Sequence, residues 1–212
     1  MKAYTSNNIR NIAVLGHGGK GKTTLCEAML YIAGASDRLG RVADGNTVLD
    51  FDSEEKRRKS SVSSAIAALE WDNTKLNIID APGLFDFEGG AAEAVRAAEA
   101  VLIVTSAGSG VDVGTEKAFR AAEKKGAAKF FAVTKTDSDH RNFYKTFDAL
   151  KEVYGNKLCP TIIPYMEGNI TKCYVNLMTG MAFSYDENGK ATKVPVPEDS
   201  VIEEMTSAFM EA

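Results

Sequence analysis

Four apolar runs along the chain have the character of buried β-strands. Each run is rich in apolar residues and ends at a glycine or a turn cluster; the runs cover residues 12–15, 75–79, 100–105 and 129–134. Apolar runs of this length without regular polar alternation indicate strands that are covered on both faces, as in a parallel sheet.

Helical patterns fill the intervals between these runs. Small polar residues open the first pattern at 23–34, while 90–99 is rich in alanine and 114–125 has apolar residues at helical spacing. Alternating strands and helices predict a doubly wound α/β sheet, which binds its ligands beyond the carboxyl ends of the strands.

One further segment, 63–71, alternates in polarity and predicts an antiparallel strand. It runs into a turn at Asp72-Asn73 and would form a hairpin with 75–79. The sheet is therefore expected to be mostly, but not entirely, parallel.

The composition of the chain changes after about Gly155. Residues 161–165 have the pattern of a strand, and 174–185 and 192–196 flank a turn, which predicts a small antiparallel unit. A helical pattern covers 197–212. We therefore expect one domain over 1–155 and the beginning of another over 156–212.

Composition and charge restrict the class of protein. The chain has 212 residues, 44% of them hydrophobic and 25% charged, which is typical of a globular domain. Its net charge of -4 argues against independent DNA binding, and no apolar run approaches the ~18 residues of a membrane span. The 3 cysteines and 2 histidines share no metal-ligand spacing, which favours reduced thiols in a cytoplasmic protein.

The segment 16–23 carries the strongest chemical signal in the sequence. It reads Gly-His-Gly-Gly-Lys-Gly-Lys-Thr, fits G-x-x-x-x-G-K-[ST], and lies between a predicted strand and a predicted helix. Backbone N–H groups of such a loop surround a phosphate, while Lys22 would reach the β- and γ-phosphates and Thr23 would bind Mg²⁺. The alternative is a glycine-rich turn without a ligand. The expected nucleotide contacts are Gly16, His17, Gly18, Gly19, Lys20, Gly21, Lys22, Thr23 and Thr24.

Two later strand ends add to this signal. Asp80 could hold Mg²⁺ through water, and Gly83 could present its N–H to a γ-phosphate. Thr134, Lys135 and Asp137 close another strand, where the Asp137 carboxylate could accept two hydrogen bonds from guanine and the Lys135 stem could cover the base. Each tetrapeptide alone is more typical of a turn, but the three elements in this order favour guanine recognition.

The arrangement resembles the GTPase domain of translational factors, most closely elongation factor G and its elongation-factor-G-like paralogues. The resemblance covers the whole chain and is carried by 11–25, 38–42, 50–55 and 78–87. It implies a phosphate-loop GTPase fold with three α/β/α layers, GTP or GDP with Mg²⁺ as ligands, and contact with the ribosome through a longer parent protein. Residues 156–212 then resemble the start of a small α+β insert subdomain.

The resemblance also implies roles for individual residues. Lys22 and Gly83 take the catalytic positions, and Thr23, Asp80 and Ser61 take the metal positions, with Ser61 standing where the family usually has threonine. The closing Ser-Ala loop of the family is not found, since Ser207-Ala208 lies in a helical pattern. The chain therefore resembles an N-terminal fragment that ends before the nucleotide site is complete.

Several positions depart from the family pattern. Leu84 stands where the family usually has the histidine that positions the attacking water, so hydrolysis is expected to be slow. Gly19 replaces an aspartate, and Lys20 replaces a small residue, although nothing in the motif requires its charge. Thr134 replaces an asparagine, with the expected loss of one amide contact to the loop and ligand. A nucleotide-binding switch without significant hydrolysis and a phosphate-loop ATPase of another class remain open as alternatives.

The basic run 56–59 has two interpretations of equal weight. It could contact ribosomal RNA, because the first switch of the family faces the ribosome, or it could form a solvated, mobile loop.

Overall fold

The computed structural model describes residues 2–136, 142–155, 158–168, 170–186 and 189–211. The chain divides into two compact units, Met1–Lys135 and Thr136–Ala212. The strands of the first unit are β1 (Ile9–Leu15), β2 (Ala65–Trp71), β3 (Thr74–Asp80), β4 (Ala100–Ser106) and β5 (Ala128–Thr134). Its α-helices are α1 (Lys22–Ile32), α2 (Ser53–Arg58), α3 (Glu88–Ala97) and α4 (Val113–Lys125).

The strands of the first unit form one sheet in the order β2-β3-β1-β4-β5. β1 pairs in parallel with β3 and β4, and β4 pairs in parallel with β5. The edge strand β2 is antiparallel to β3, as the alternating segment predicted. The mixed α/β architecture with a mostly parallel sheet is thus confirmed.

The hairpin between β2 and β3 closes at the end of the sheet remote from Asp80. Trp71 lies opposite Thr74, and the two turn residues Asp72 and Asn73 have φ angles of 44° and 57°. Positive φ at both central residues is typical of a tight hairpin turn, where Asn and Asp tolerate it best. Trp71 is 57% exposed at this end.

The central strands of the sheet are covered on both faces, which explains their consecutive apolar residues. Ala13 and Leu15 of β1 belong to a buried cluster that includes residues of α3 and α4. Val14, pointing the other way, belongs to a cluster with Cys26 and Leu30 of α1. Side chains alternate between faces along a strand, so an apolar residue at every position indicates two cores and three layers.

The second unit holds α5 (Phe143–Tyr154), α6 (Ser200–Glu211) and an antiparallel sheet. The strands lie in the order β6 (Ile162–Glu167), β7 (Ile170–Asn176), β8 (Met181–Tyr185) and β9 (Ala191–Val194). Its buried cluster contains Ile163, Val175, Ala182 and Ile202, and Phe143 packs against it. Because α5 contributes to this core, the division at Lys135 falls before α5, whereas the composition predicted a boundary after residue 155.

The sequence also led to expectations for residues 174–185 and for the three cysteines. The segment 174–185 covers the end of β7 and all of β8, and between them the Asn176 side chain accepts hydrogen bonds from the N–H groups of Met178 and Thr179 and closes a turn. Cys26, Cys159 and Cys173 are free. Across the described parts of the chain, the helices are all too short or too polar to cross a bilayer.

Candidate functional site

The conformation of the loop between β1 and α1 depends on glycines at two positions. Gly16 has a φ of 139°, and a Cβ there would overlap the backbone carbonyl of Val104 in β4. Gly21, which precedes α1, has a φ of 87°. Both positions lie in the region that favours glycine, so the sequence dictates a tight turn that leaves the start of α1 facing the loop.

Lys22 places a buried ammonium group inside this loop. Its Nζ donates hydrogen bonds to the carbonyl oxygens of Gly16 at 3.1 Å and His17 at 3.0 Å. Burial lowers the pKa of Lys22, and the nearby carboxylate of Asp80 partly opposes that shift. The cation therefore lies where the loop backbone converges, which is the place that an anionic phosphate group would need it.

The segment after β3 approaches the same point. A Cβ on Gly83 would overlap Lys22 Nζ and would lie 2.8 Å from the N–H nitrogen of Gly18. This approach is possible only without a side chain, so Gly83 is required by geometry. The structure thus brings together the two sequence segments that were expected to surround a γ-phosphate.

Four buried oxygen-bearing side chains meet beside Lys22. Thr23 Oγ1 donates to Asp80 Oδ2 at 2.6 Å and lies 3.2 Å from Ser61 Oγ, which in turn donates to Asp50 Oδ1 at 2.7 Å. All four residues are buried, Asp80 to 1% exposure. The sequence predicted Thr23, Ser61 and Asp80 as partners; it assigned no role to Asp50, although that residue lies in a segment that carries the family resemblance.

Both carboxylates in this cluster keep one oxygen without a hydrogen-bond partner. These atoms are Asp80 Oδ1 and Asp50 Oδ2. Burial raises the pKa of Asp80 from its ordinary 3.8 to about 7, opposed by the Thr23 hydroxyl and by Lys22, while the charges of Asp50 and Glu27 raise it further. Burial also raises the pKa of Asp50, opposed by the Ser61 hydroxyl.

This donor set is suited to Mg²⁺. Mg²⁺ prefers hard oxygen ligands and is bound through one or two carboxylates together with waters and substrate phosphates. In the described residues no group of three histidine, cysteine or acidic side chains is arranged as a metal cage. Two hydroxyls and two incompletely satisfied carboxylates therefore fit an ion that shares its coordination with a nucleotide, and not a closed structural site.

Buried carboxylates also fix the segment between α1 and β2, which we call the first switch segment (residues 40–63). Glu27 of α1 is 0% exposed, and its Oε1 accepts hydrogen bonds from the N–H groups of Val48 at 2.8 Å and Leu49 at 3.0 Å. Glu55 of α2 likewise accepts from the N–H of Val62 at 3.0 Å. The sequence patterns did not single out either glutamate.

Leu84 and Phe85 cover the other side of the loop. Leu84 is partly exposed, and its Cδ2 lies 3.0 Å from the position that a Cβ on Gly18 would occupy. The Phe85 ring packs edge-on against the His17 ring at 5.4 Å, with Lys117 Nζ 4.5 Å from its centroid. An apolar side chain thus lies next to the loop, at the position where the family resemblance leads one to expect a water-positioning histidine.

The end of β5 contacts the loop from the side expected to hold a base. Thr134 Oγ1 donates to the carbonyl of Lys20 at 2.7 Å and lies 3.1 Å from the carbonyl oxygen of Thr105, and Lys135 Nζ donates to the carbonyl of Gly19 at 2.6 Å. The Thr134 hydroxyl thus contacts the loop from this position, where the family resemblance leads one to expect the amide of an asparagine. Asp137 lies outside the described residues.

The structure also describes the other residues that the sequence singled out. Thr24 is exposed in the first turn of α1, and Ser207 and Ala208 lie within α6. In the basic run, Arg57 pairs with Glu54 at 2.7 Å on α2, and hydrogen bonds from Arg57 and Arg58 lower the pKa of Glu54 to about 2. Part of the positive charge of this run is thus neutralised locally.

The sequence of the chain is similar to those of known proteins. A family model for the elongation factor Tu GTP binding domain matches residues 7–209. The chain is 34% identical over 204 residues to an elongation factor G-like protein of Mycobacterium tuberculosis, covering 96% of the chain and 28% of that protein. It is 30% identical over 196 residues to elongation factor G of Mycoplasma genitalium, covering 92% of the chain and 28% of that protein.

A solved structure shows the same similarity in three dimensions. A protein of Thermus thermophilus superimposes with a TM-score of 0.88 and 36% identity, over 96% of this chain and 30% of that one. The chain therefore spans less than a third of the length of these relatives.

Proposed function

Because the chain belongs to the elongation factor Tu GTP-binding domain family, as a GTP-binding domain of the elongation-factor type, we propose that it binds GTP and GDP with Mg²⁺ at the β1–α1 loop and hydrolyses GTP slowly. The antiparallel sheet of the second unit is proposed to belong to the start of the insert subdomain expected over 156–212.

One observation supports this proposal above the others. The Lys22 ammonium lies inside the loop, and the Gly83 backbone approaches it so closely that a Cβ would overlap the amine. A cation, loop N–H groups and a second backbone segment converging on one point are what phosphoryl-group binding requires. Lys22 and Gly83 are therefore the groups that we expect to contact the γ-phosphate.

Thr23, Asp80 and Ser61 are the residues that we propose to hold Mg²⁺, with Asp50 supporting Ser61. When bound, the ion would neutralise negative charge on the phosphates of the nucleotide. The protein contributes the fixed hydroxyl of Thr23 and two buried carboxylates, against which Lys22 supplies one positive charge. Binding a divalent cation would balance the remaining negative charge.

Guanine selectivity is proposed for Thr134, Lys135 and Asp137. Thr134 and Lys135 already tie β5 to the loop through the carbonyls of Lys20 and Gly19. A carboxylate at 137 can accept from both guanine donors, whereas adenine offers no such pair. This choice separates the proposal from a phosphate-loop ATPase of another class.

Slow hydrolysis follows from the side chain at position 84. Leu84 lies against the loop at Gly18 and can neither donate nor accept a hydrogen bond. Positioning of the attacking water is a main part of GTPase catalysis, so an apolar residue there leaves binding intact and reduces turnover. A switch that binds nucleotide without significant hydrolysis is the second candidate, and the same observation favours it.

The longer parent is proposed to contact the ribosome, as its relatives are translation factors by name. This function implies a cytoplasmic location, because translation takes place there. Nucleotide state would be coupled to ribosome binding through the first switch segment and through the segment that carries Leu84 and Phe85. Both segments touch the nucleotide loop.

Titration of labelled nucleotides tests the proposal. Fluorescent GDP, GTP and ATP are added to the chain with Mg²⁺ or with a chelator, beside Lys22→Ala. We expect GDP and GTP to bind more tightly than ATP, and Mg²⁺ to strengthen binding of both. Equal affinity for ATP and GTP would exclude guanine recognition, and unchanged binding by Lys22→Ala would exclude the loop as the site.

A further inference from the structure

We propose that Lys20 is a positioning residue, which fixes the nucleotide loop through an ion pair with Asp112 at the start of α4 and does not itself bind phosphate. The kinetic part of this inference rests on the proposed nucleotide binding. No sequence motif requires a cation at position 20, and the structure supplies a reason for one.

The ion pair is short and largely shielded from solvent. Lys20 Nζ lies 3.1 Å from Asp112 Oδ2, and the two side chains are 14% and 19% exposed. Lys20 Nζ also donates to Ser106 Oγ at 3.3 Å, at the end of β4. Exposed ion pairs contribute little because water and side-chain entropy compete with them, but a partly buried pair with an additional hydrogen bond is more strongly coupled.

Asp112 is itself held in place, so it can serve as a fixed anchor. It caps α4, where its Oδ1 accepts hydrogen bonds from the N–H and the hydroxyl of Thr115, both at 2.9 Å. Partial burial alone would raise the pKa of Asp112, but the bonds from Thr115 and Lys20 outweigh it and lower the pKa below its ordinary value. Thr115 thus orients the aspartate independently of Lys20.

The first turn of α4 also packs directly on the loop. A Cβ on Gly114 would lie 2.6 Å from His17 Cα, so loop and helix are in backbone contact at this point. The carbonyl of Lys20 is held from a third side, by the hydroxyl of Thr134. Residue 20 is therefore tied through its side chain to β4 and α4 and through its backbone to β5.

A loop with several glycines would otherwise sample many conformations, and nucleotide binding would have to select one. Fixing residue 20 in advance reduces that cost and slows release of the ligand. The alternative role, a second phosphate ligand, makes a different prediction. If Lys20 served phosphate, Asp112 would compete for it, and removing the carboxylate charge would strengthen nucleotide binding.

A double-mutant cycle separates the two roles. Lys20→Met, Asp112→Asn and the double variant are compared with the wild-type chain by stopped-flow release of fluorescent GDP. Asparagine keeps an oxygen that can cap α4. Arg120→Met, which removes a cation from the exposed ion pair with Glu116 on the same helix, is the matched control.

We expect each single variant to release GDP roughly three- to tenfold faster, and the double variant to be no faster than the quicker single variant, because both remove one interaction. Arg120→Met should release GDP at the wild-type rate. Slower release by Asp112→Asn would overturn the proposal in favour of a phosphate-binding Lys20. Additive effects of the two variants would overturn the coupling.

Thermal unfolding of the wild type, the two single variants and the double variant is measured without nucleotide. This measurement tests the ion pair independently of the proposed function. Non-additive melting temperatures would support the ion pair even if guanine nucleotide did not bind at all, and that lack of binding would count against the proposed function alone. Additive melting temperatures would refute the pair whatever the nucleotide data.

Discussion

Thr23 Oγ1 donates a 2.6 Å hydrogen bond to Asp80 Oδ2, across a separation of 57 positions in the sequence. The bond joins the first turn of α1 to the end of β3, at the buried cluster that also contains Ser61 and Asp50. It leaves Asp80 Oδ1 without a partner, and that atom determines how the site should respond to pH and Mg²⁺.

The metal-free chain should lose stability as the pH rises from about 4 to about 7. Burial raises the pKa of Asp80 from 3.8 to about 7, so between these values the folded protein binds a proton that the unfolded chain does not. The free energy of unfolding then falls with increasing pH by an amount on the order of 4 kcal/mol, and levels off above the folded pKa. The groups facing Asp80 are Thr23, Lys22, Asp50 and Glu27.

Mg²⁺ should reverse this loss, and most strongly at alkaline pH. We expect the melting temperature gained on adding Mg²⁺ with GDP to be larger at pH 8 than at pH 6, because the ion competes with the proton. Asp80→Asn should flatten the pH profile and remove the Mg²⁺ response. An unchanged profile in this variant would show that another group carries the titration.

Lys22→Ala should lower the affinity for both GDP and GTP on the order of 100-fold, equivalent to about 3 kcal/mol. The variant removes a buried ammonium and its hydrogen bonds, which a phosphate would otherwise share. Lys124→Ala, on the exposed end of α4, is the matched control and should bind as the wild type. Equilibrium titration with fluorescent nucleotides measures both, and equal losses would contradict the assignment.

Asp137→Asn should weaken GDP binding and shift preference toward xanthine nucleotides. The new amide can donate to the 2-oxo group of xanthine, while it loses the pair of bonds from guanine. Competition of GDP, XDP and ADP against one fluorescent probe measures the change. Retained guanine preference in the variant would remove Asp137 from base recognition.

Leu84→His should accelerate GTP hydrolysis, since histidine can orient a water that leucine cannot. Loss of one water-positioning group typically costs on the order of 10²-fold in rate, and the variant should recover part of that. Nucleotide affinity should change little, because the loop and Lys22 are untouched. Single-turnover hydrolysis is measured with and without ribosomes on the full-length parent, and identical rates for both side chains would show that Leu84 is not the limiting feature.

Gly40→Ala should destabilise the first switch segment. A Cβ at this position would overlap the buried Glu27 carboxylate and would lie 2.9 Å from Thr47 Cα. We expect a loss of about 1–3 kcal/mol and faster hydrogen exchange at Val48 and Leu49, whose N–H groups donate to Glu27. Gly89→Ala is the control, because nothing lies near its added Cβ. Equal effects of the two substitutions would refute a specific role for this contact.

The parts of the fold that sequence predicts well are those with local signals. β1 and β4 contain the apolar runs 12–15 and 100–104, and the motif at 16–23 lies directly between a strand and a helix start. Such patterns need no knowledge of distant residues, since burial and backbone geometry act on neighbours in sequence.

The parts that were missed depend on partners far along the chain. Glu27 occurs in a helical pattern like any other glutamate, and only the fold brings Val48 and Leu49 to it. Asp112 precedes Thr115 by three positions at a helix start. This spacing predicts a helix cap, but it does not predict that Lys20 pairs with the aspartate. The pairing of Lys20 with Asp112 is a tertiary contact that no spacing rule contains.

The single tryptophan of the chain has a consequence for optical experiments. Trp71 lies opposite Thr74, six residues of extended strand before Asp80, so roughly 20 Å separate its backbone from the end of β3 that faces the loop. Its intrinsic emission should therefore stay almost constant when a ligand occupies the loop, while reporting cleanly on unfolding of the hairpin. Binding studies need an extrinsic dye, and denaturation studies already have a built-in probe.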